Sequence, residues 1–402
     1  MKIYLDNCAS TRVSPEAAKA IYLAMTETYA NPSALHVAGQ EAERLVKQAR
    51  HQLAFTLGVK PANIVFTSGG TEANNLALLG VRKGRVLISA VEHPSVYAAA
   101  DVLAARGVKV DMIPVFDAKS DFPGMVDVSE LRALLGDDVA LVSVQHINNE
   151  IGTIQPVDEI SRIISLYNTE KNTQIKFHVD AAQSYGKLAI DAETGDFRRV
   201  DMMSISAHKI HGPKGIGALY AVSPAKLHPM LFGGGQEQGV RSGTENVPGI
   251  VGLGASARIA SADIIGHAKQ ANACRRRLLE GIQSKIPHIH INSPVDASVT
   301  GKPGCSSPYI LSAAFLGTRG EVLLHELEKS GILVSTGAAC NTIGSEEKNE
   351  RGTLAAIGVR GEAAEGTLRF GFSWNNTTDE MDFVLDRLEK AVDRFRRTGS
   401  YR

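Results

Sequence analysis

The chain has 402 residues, 44% of them apolar, and its 43 basic side chains balance 43 acidic ones. This length allows two or three domains with substantial cores. A zero net charge gives no reason to expect nucleic acid or an anionic membrane as a bulk partner. The sequence has no apolar run near the roughly 20 residues of a membrane span and no signal-peptide pattern at its N-terminus. We therefore expect a soluble, cytoplasmic protein.

The first two thirds of the chain alternate between helix-like and strand-like segments. Ser14 followed by Pro15 predicts the start of a helix that runs to about Tyr29, and an amphipathic stretch over 33–57 predicts the next helix. Short apolar runs follow at 64–66, 86–89, 108–113, 140–144, 177–179, 202–206 and 217–222. Because helix-length segments separate most of these runs, we expect an α/β domain around a largely parallel sheet.

The pattern changes after about Ile250. A charged, helical stretch over 255–284 leads to a few strand-like runs, and the chain ends in a helix from about Asp379. Thr377 and Glu380 have the spacing of a capping box for this last helix, and an apolar stripe follows them. We therefore expect a smaller α+β domain, formed by 1–13 together with 259–402, beside a large domain over 14–258.

A lysine and an aspartate are the most informative pair of positions. Lys209 follows a strand-like run and precedes a glycine turn, where its amine could bond to an aldehyde cofactor. Asp180 ends another strand-like run upstream. A carboxylate that keeps a pyridine nitrogen protonated and a lysine that bonds to the aldehyde are the minimal pair for pyridoxal phosphate chemistry.

Polar segments follow several predicted strands, and each has a structural alternative. Gly70 and Thr71 open a predicted helix, where they could seat an anion or form an ordinary capped turn. His93 could stack on a planar cofactor and move protons, although from this residue alone we favour a helix cap. Asn149 suits a turn as well as carboxylate binding. Gln183 could bond the phenolic oxygen of a cofactor or simply open a helix.

Arg369 and four cysteines are the remaining candidates. Arg369 lies in a strand among apolar neighbours and needs a partner, either a substrate carboxylate or an ordinary ion pair. Cys340 heads a polar, glycine-punctuated stretch without helical periodicity, so we expect an accessible thiol on a mobile surface loop. Cys8 lies near the strand-like N-terminus, Cys274 on a helical surface stretch and Cys305 in another loop. Location in a loop therefore does not by itself decide which thiol reacts.

Together these motifs resemble the cysteine desulfurases of the class V aminotransferase group, which have fold type I of the pyridoxal phosphate enzymes. The matching segments are Tyr4-Leu5-Asp6-Asn7, Asn31-Pro32-Ser33, Ser68-Gly69-Gly70-Thr71-Glu72, Glu92-His93, Asn148-Asn149-Glu150-Ile151-Gly152, His178-Val179-Asp180-Ala181-Ala182-Gln183-Ser184, Ser206-Ala207-His208-Lys209, Gly233-Gly234-Gly235, Arg241-Ser242-Gly243-Thr244, the Cys340 loop and Leu368-Arg369-Phe370. The Ser-x-Gly-x-x-Cys form with a long loop is similar to the subgroup of nitrogen-fixation and housekeeping iron–sulfur desulfurases. The resemblance implies a mainly parallel seven-stranded sheet between helices, with a smaller α+β domain that carries the Cys340 loop.

The resemblance also implies a role for each matched position. Lys209 would carry pyridoxal 5′-phosphate as an imine, Cys340 would attack the substrate sulfur, and His93 would stack on the ring and assist proton transfers. The positions implied to bind the cofactor are Gly70, Thr71, His93, Asn149, Asp180, Gln183, Ser206, His208 and Lys209, with Thr244 reaching across a homodimer to the cofactor of the other subunit. Those implied to bind the substrate carboxylate are Asn31, Asn149 and Arg369. No metal is implied.

The implied reaction converts L-cysteine into L-alanine and leaves the sulfur on Cys340 as a persulfide. An acceptor protein, such as an iron–sulfur scaffold or a tRNA-thiolation enzyme, would then take the sulfur. Alternatives on the same fold are a selenocysteine lyase, a cysteine C–S lyase that releases sulfide, and an aminotransferase proper. A non-catalytic scaffold that binds sulfur-assembly partners is a further alternative, against which the intact set of Lys209, Asp180 and His93 counts.

Overall fold

The computed structural model describes residues 2–337 and 352–397. The strands in this part of the chain are β1 Ile3–Tyr4, β2 Ile64–Thr67, β3 Arg85–Ser89, β4 Lys109–Ile113, β5 Val139–Gln145, β6 Lys176–Asp180, β7 Met202–Ser206, β8 Gly217–Ala221, β9 Ile289–Ile291, β10 Ile310–Phe315, β11 Ile332–Leu333, β12 Ser335–Thr336 and β13 Thr367–Gly371. The α-helices are α1 Pro15–Thr26, α2 Val37–Leu57, α3 Gly70–Leu78, α4 Pro94–Ala105, α5 Val128–Leu134, α6 Val157–Lys171, α7 Val247–Ala262, α8 Ile264–Lys285, α9 Gly320–Lys329, α10 Thr353–Ala356, α11 Glu362–Glu365 and α12 Thr378–Arg397.

A seven-stranded sheet has the order β2-β8-β7-β6-β5-β3-β4. Its neighbours are parallel except at β8, which is antiparallel to both β2 and β7. The interior strands β7 and β8 are buried along their whole length, which agrees with their mainly apolar sequences. Each of the apolar runs predicted for this sheet is a strand, and each observed end lies within one residue of the predicted one.

The helices around this sheet begin and end where local chemistry dictates. Ser14 caps α1 by accepting a hydrogen bond from the backbone N–H of Ala17 (3.1 Å), and the helix ends at Thr26, earlier than predicted. Gly58 closes α2 in the left-handed conformation (φ 68°) that favours glycine. The stretch predicted as one helix over 255–284 is two, because Asp263 breaks it and caps α8 by accepting from the N–H of Gly266 (2.9 Å).

A second sheet, β12-β13-β10-β9, is antiparallel and has its own apolar core with α8, α9 and α12. The predicted capping box of α12 is confirmed, since the N–H of Glu380 donates to Thr377 Oγ1 (3.3 Å) and the N–H of Thr377 donates to Glu380 Oε2 (3.1 Å). The apolar stripe of α12 packs into this core. In residues 2–337 and 352–397 no single helix is long and apolar enough to cross a membrane; α7 and α8 reach that length only as a pair bent by 77°.

The N-terminal segment 6–11 joins the two sheets at the carboxyl ends of β6 and β7. Asn7 Nδ2 donates to the carbonyl of Gly371 in β13 (2.9 Å), and Thr11 Oγ1 donates to the carbonyl of His208 just after β7 (2.8 Å). Gly371 has to lack a side chain, because a Cβ there would lie 2.7 Å from Cys8 Sγ. These contacts hold the backbone carbonyls of residues 8 and 9 at the edge where ligands bind in α/β sheets.

Candidate active site

Lys209 ends a short 3-10 turn, Ala207–Lys209, that directly follows β7. Its Nζ donates to the backbone carbonyls of Cys8 (2.6 Å) and Ala9 (2.9 Å). Burial lowers the pKa of this amine, and the nearby carboxylate of Asp180 acts in the opposite direction. A lysine whose ammonium form is disfavoured reaches the neutral, nucleophilic state at lower pH, which suits attack on a carbonyl.

Asp180 ends β6 on the neighbouring strand and is 2% exposed. Its Oδ2 accepts a hydrogen bond from Asn74 Nδ2 (2.8 Å), and its Oδ1 accepts from the N–H of Ala182 (2.9 Å). Both donors are neutral groups. A buried carboxylate held only by neutral dipoles favours a cationic partner, such as a protonated ring nitrogen.

Ser206, the last residue of β7, faces the start of α3. Its Oγ is buried and has no hydrogen-bond partner among the described residues. A Cβ built on Gly70 would lie 3.5 Å from the Ser206 Cβ, so the two residues are neighbours, and no side chain caps α3 at Gly69. An unpaired hydroxyl beside an uncapped helix N-terminus, with Thr71 in the first turn, is a seat for an anion such as a phosphate.

His93 is the N-cap of α4, so the cap interpretation is confirmed. Its Nδ1 accepts from the N–H of Ser95 (3.1 Å) and lies 2.8 Å from Ser95 Oγ. Burial lowers its pKa, with Asp180 acting in the opposite direction, so the imidazole is neutral and its proton is on Nε2. Asn74 Nδ2 donates to Ser95 Oγ (2.9 Å) as well as to Asp180, which links the histidine to the carboxylate through hydrogen bonds.

Gln183 and His208 contact the same N-terminal segment, 8–10, as Lys209 does. The Nε2 of Gln183 donates to the Cys8 carbonyl (2.9 Å), the oxygen that also accepts from Lys209. The Nδ1 of His208 lies 3.3 Å from Ser10 Oγ. Burial, with a smaller effect of the Lys209 charge, lowers the pKa of His208 to about 4, so this imidazole is neutral near pH 7.

Arg369 lies in β13 and extends toward the same edge. Its Nη1 donates to the backbone carbonyl of Asn149 (3.0 Å), and its Nη2 forms an ion pair with Asp6 Oδ1 (3.3 Å). Burial raises the pKa of Asp6, and the guanidinium opposes that shift. The ion-pair alternative for Arg369 is therefore present in the structure. Because one guanidinium has five N–H groups, this pair does not exclude a carboxylate ligand.

The sequence matches the family described as aminotransferase class V over residues 3–384. The chain belongs to the class V aminotransferase family. The cysteine desulfurase IscS of Dictyoglomus turgidum is 35% identical over 407 residues, covering 100% of this chain and 97% of that protein. A solved NifS-like protein has 35% identity and a TM-score of 0.86, covering 98% of this chain and 100% of that one. A structure described as SspA in complex with cysteine has 31% identity and a TM-score of 0.73, covering 92% and 99%.

Class V aminotransferases are pyridoxal phosphate enzymes with the fold type I architecture, and the predicted fold and family are confirmed. Within the class V aminotransferase fold, Lys209, Asp180, His93, Gln183 and Ser206 meet at one sheet edge. Asn31 is exposed, and its Oδ1 accepts a hydrogen bond from the N–H of Ser33 (2.9 Å). Thr244 is exposed, in a loop tied to α3 by the ion pair of Arg241 with Glu72 (2.9 Å).

Cys340, the thiol that the class V aminotransferase resemblance singles out, lies outside the described residues. Of the other thiols, Cys8 and Cys274 are buried and Cys305 is partly exposed. The prediction of Cys274 on a surface was wrong, because its face of α8 packs into the core of the second sheet. Burial raises the pKa of both buried thiols, so neither is a ready thiolate.

Sequence reasoning missed four contributors to this class V aminotransferase site. Asn74 holds Asp180, Lys187 holds Gln183, and the Cys8 and Ala9 carbonyls hold Lys209. Asn74 lies in the helix that Gly70 and Thr71 open, a segment interpreted as an anion seat or an ordinary capped turn. Backbone carbonyls contribute no side-chain signal, so those two could not be found from residue types.

Proposed function

We propose that this chain is a pyridoxal phosphate-dependent cysteine desulfurase, with Cys340 as the residue that receives the sulfur. The predicted class of enzyme is confirmed by relatives named as cysteine desulfurases. The observation that carries the proposal is the convergence of three groups at one sheet edge. These are the partly buried amine of Lys209, the buried carboxylate of Asp180 and the Ser206 hydroxyl, which has no partner among the described residues.

The residues at this edge fit pyridoxal phosphate. Ser206 and His208, with the backbone N–H groups of Gly70 and Thr71, would bind its phosphate, since the Ser206 hydroxyl is buried without a partner in the described chain. Asp180, whose hydrogen bonds come from neutral donors, would pair with the ring nitrogen.

Further residues would complete the cofactor site. Gln183 would donate to the phenolic oxygen, His93 would stack on the ring, and Lys209 would bond to the aldehyde carbon. When bound, the cofactor supplies an electron sink for negative charge at the substrate Cα.

The chain's own groups would bind the amino acid and move its protons. Arg369 is held in place by Asp6 and the Asn149 carbonyl, and its guanidinium would bind the substrate carboxylate. The side chains of Asn149 and Asn31 would bind the same carboxylate. Because burial lowers its pKa, the amine of Lys209 reaches its neutral, proton-accepting form at lower pH than an exposed lysine does. His93 presents a neutral ring with its proton on Nε2, which suits it to donate one.

The sulfur step is a balanced thiol reaction. The sulfur of L-cysteine leaves Cβ and bonds to the sulfur of Cys340, and the carbon takes up a proton, so that L-cysteine and a thiol become L-alanine and a persulfide. The attacking species is the Cys340 thiolate. A nucleophile that must reach the cofactor and then carry sulfur outward is best placed on a loop. A partner protein would accept the sulfur afterwards.

We also propose a homodimer, a division into two domains and a cytoplasmic location. A homodimer would bring Thr244 to the cofactor phosphate of the other subunit, which its exposure and its loop's attachment to α3 support. We keep 14–258 as the large domain and 1–13 with 259–402 as the small one. The apolar core of the second sheet, formed mainly by residues 3–8 and 268–392, favours this division. A cytoplasmic location fits the reduced thiol chemistry that the reaction requires.

Incubation of the purified protein with L-cysteine, followed by mass spectrometry, tests the proposal. We expect L-alanine and one added sulfur atom on the peptide that contains Cys340. Cys340→Ser should abolish the adduct, whereas Cys305→Ser, which removes the partly exposed thiol of another loop, should leave it unchanged. Sulfide release at the wild-type rate from Cys340→Ser would instead indicate a C–S lyase. A preference for selenocysteine without any adduct would indicate a selenocysteine lyase.

A further inference from the structure

Lys187 is a buried lysine that contacts Gln183 and has no assigned role in binding the cofactor or the substrate. It is 4% exposed and lies four residues after Gln183, in the segment that follows β6. Its Nζ donates to Gln183 Oε1 (2.9 Å) and lies 5.6 Å from the ring centre of Tyr309. Burying an ammonium group costs free energy, so a lysine at such a position needs a reason beyond packing.

The other end of the Gln183 amide points to Lys209. Gln183 Nε2 and Lys209 Nζ donate to one and the same atom, the backbone oxygen of Cys8, at 2.9 and 2.6 Å. The NH2 group of Gln183 and the amine that would bond to the cofactor therefore share one acceptor. A cofactor oxygen that lay between the two groups, as the Cys8 oxygen does, could accept from both.

Lys187 decides which way this amide points. An ammonium group has three donors and no acceptor, so it requires the carbonyl end of Gln183 to face it. A flipped amide would set its NH2 group against the ammonium and its oxygen against the Cys8 oxygen, which gives two repulsive contacts in place of two hydrogen bonds. Without Lys187, the Cys8 carbonyl is the one partner within the described residues that would distinguish the two orientations.

We infer that Lys187 is a positioning residue, which locks the Gln183 amide so that its NH2 group is presented beside Lys209 to an oxygen of the bound cofactor. This inference rests on the proposed function, since it assumes that pyridoxal phosphate binds at Lys209. A donor to the phenolic oxygen stabilises that oxygen's ionised form. Loss of the donor would shift the proton equilibrium between this oxygen and the Lys209 nitrogen that is bonded to the cofactor. The absorption spectrum of the cofactor would report that shift.

The test is a pH titration of the visible absorption of the reconstituted protein. If wild type forms no absorbing species with pyridoxal phosphate, the proposed function fails, whatever Lys187 does. If wild type does form an absorbing species, the pH at which half of the absorption change has occurred is its midpoint. Lys187→Met should raise this midpoint by about one pH unit, the size expected for one hydrogen bond to a charged group. The other charges that act on Lys209, from Asp180, Asp6 and Arg369, are unchanged by this substitution.

A double-mutant cycle separates positioning from a general effect of charge. Gln183→Ala should shift the midpoint in the same direction, and the double variant should shift it no further than the larger single effect, because both remove one donor. Lys187→Arg, another group with donors alone, should restore the wild-type midpoint. Tyr309→Phe alters the surroundings of Lys187 and keeps the Lys187 charge, so this variant should have the wild-type midpoint.

An unshifted midpoint in Lys187→Met, or shifts that add in the double variant, would overturn the inference. If Lys187→Met fails to fold, Lys187→Gln takes its place. An amide can donate or accept, so this variant removes the orientational preference while keeping a polar group, and its midpoint should also rise.

Discussion

Removing the charge of Lys187 should make the apoprotein more stable near neutral pH. Burial, with the Lys209 charge acting in the same direction, lowers the pKa of Lys187 from 10.5 to about 8. At about 1.4 kcal/mol per pKa unit, this shift corresponds to a penalty of about 3 kcal/mol for keeping the ammonium form in the folded protein. Lys187→Met also loses the hydrogen bond to Gln183, which offsets about 1 kcal/mol. The net gain at pH 7 is about 2 kcal/mol.

The pH dependence of this gain has a definite sign. The folded protein releases the Lys187 proton at lower pH than the unfolded chain, so the penalty is fully present below about pH 8 and is relieved as the pH rises toward 10.5. Urea unfolding of both apoproteins at pH 7 and near pH 10 measures the difference. We expect Lys187→Met to be the more stable at pH 7 and to lose that advantage near pH 10. A variant that is less stable than wild type by the same amount at both pH values would refute the reasoning.

Three further predictions use other residues of the site. Ser206→Ala removes one donor to a charged phosphate and should weaken pyridoxal phosphate binding by roughly 10- to 100-fold in a fluorescence titration; unchanged affinity would place the phosphate elsewhere. Asn74→Ala leaves a buried oxygen of Asp180 unpaired and should lower the unfolding free energy by about 1–3 kcal/mol in urea, and a loss below 0.5 kcal/mol would count against that hydrogen bond. Burial raises the pKa of Glu92 from 4.5 to about 8, so the folded protein keeps the Glu92 proton to higher pH than the unfolded chain does. The free energy of unfolding therefore falls as the pH rises from about 4.5 to 8. Glu92→Gln should therefore gain stability relative to wild type at pH 9 and not at pH 5, and equal effects at both pH values would contradict this.

Much of the large sheet could be predicted, because buried parallel strands are continuous apolar runs that local sequence reveals. The ends of helices were harder to predict where a local turn precedes the helix. The amphipathic stretch predicted from residue 33 becomes helical only at Val37, since Asn31 accepts from the N–H of Ser33 in a turn and His36 caps the helix. The site residues predicted at strand ends, Asp180 and Lys209, meet because parallel strands bring their carboxyl ends to one edge.

What the sequence could not indicate depends on long-range packing. Arg275 belongs to a run of three arginines that is typical of a solvated helix face, yet it is 1% exposed and donates to three backbone carbonyls, those of Pro294, Val295 and Ile310. Lys187 is a second case, a charged residue whose partner is set by tertiary structure. Charged side chains are rarely buried, so composition favours the surface until the fold supplies partners.

The central claim is that the ε-amine of Lys209 is the one that bonds to the cofactor. Lys209 and Lys187 both lie near this edge, and burial lowers the pKa of each, so the assignment can be decided between them. Borohydride reduction of the protein loaded with pyridoxal phosphate, followed by peptide mapping, fixes the cofactor to the lysine that holds it. We predict the reduced adduct on the peptide that contains Lys209. An adduct on Lys187, or none on either peptide, would contradict the account.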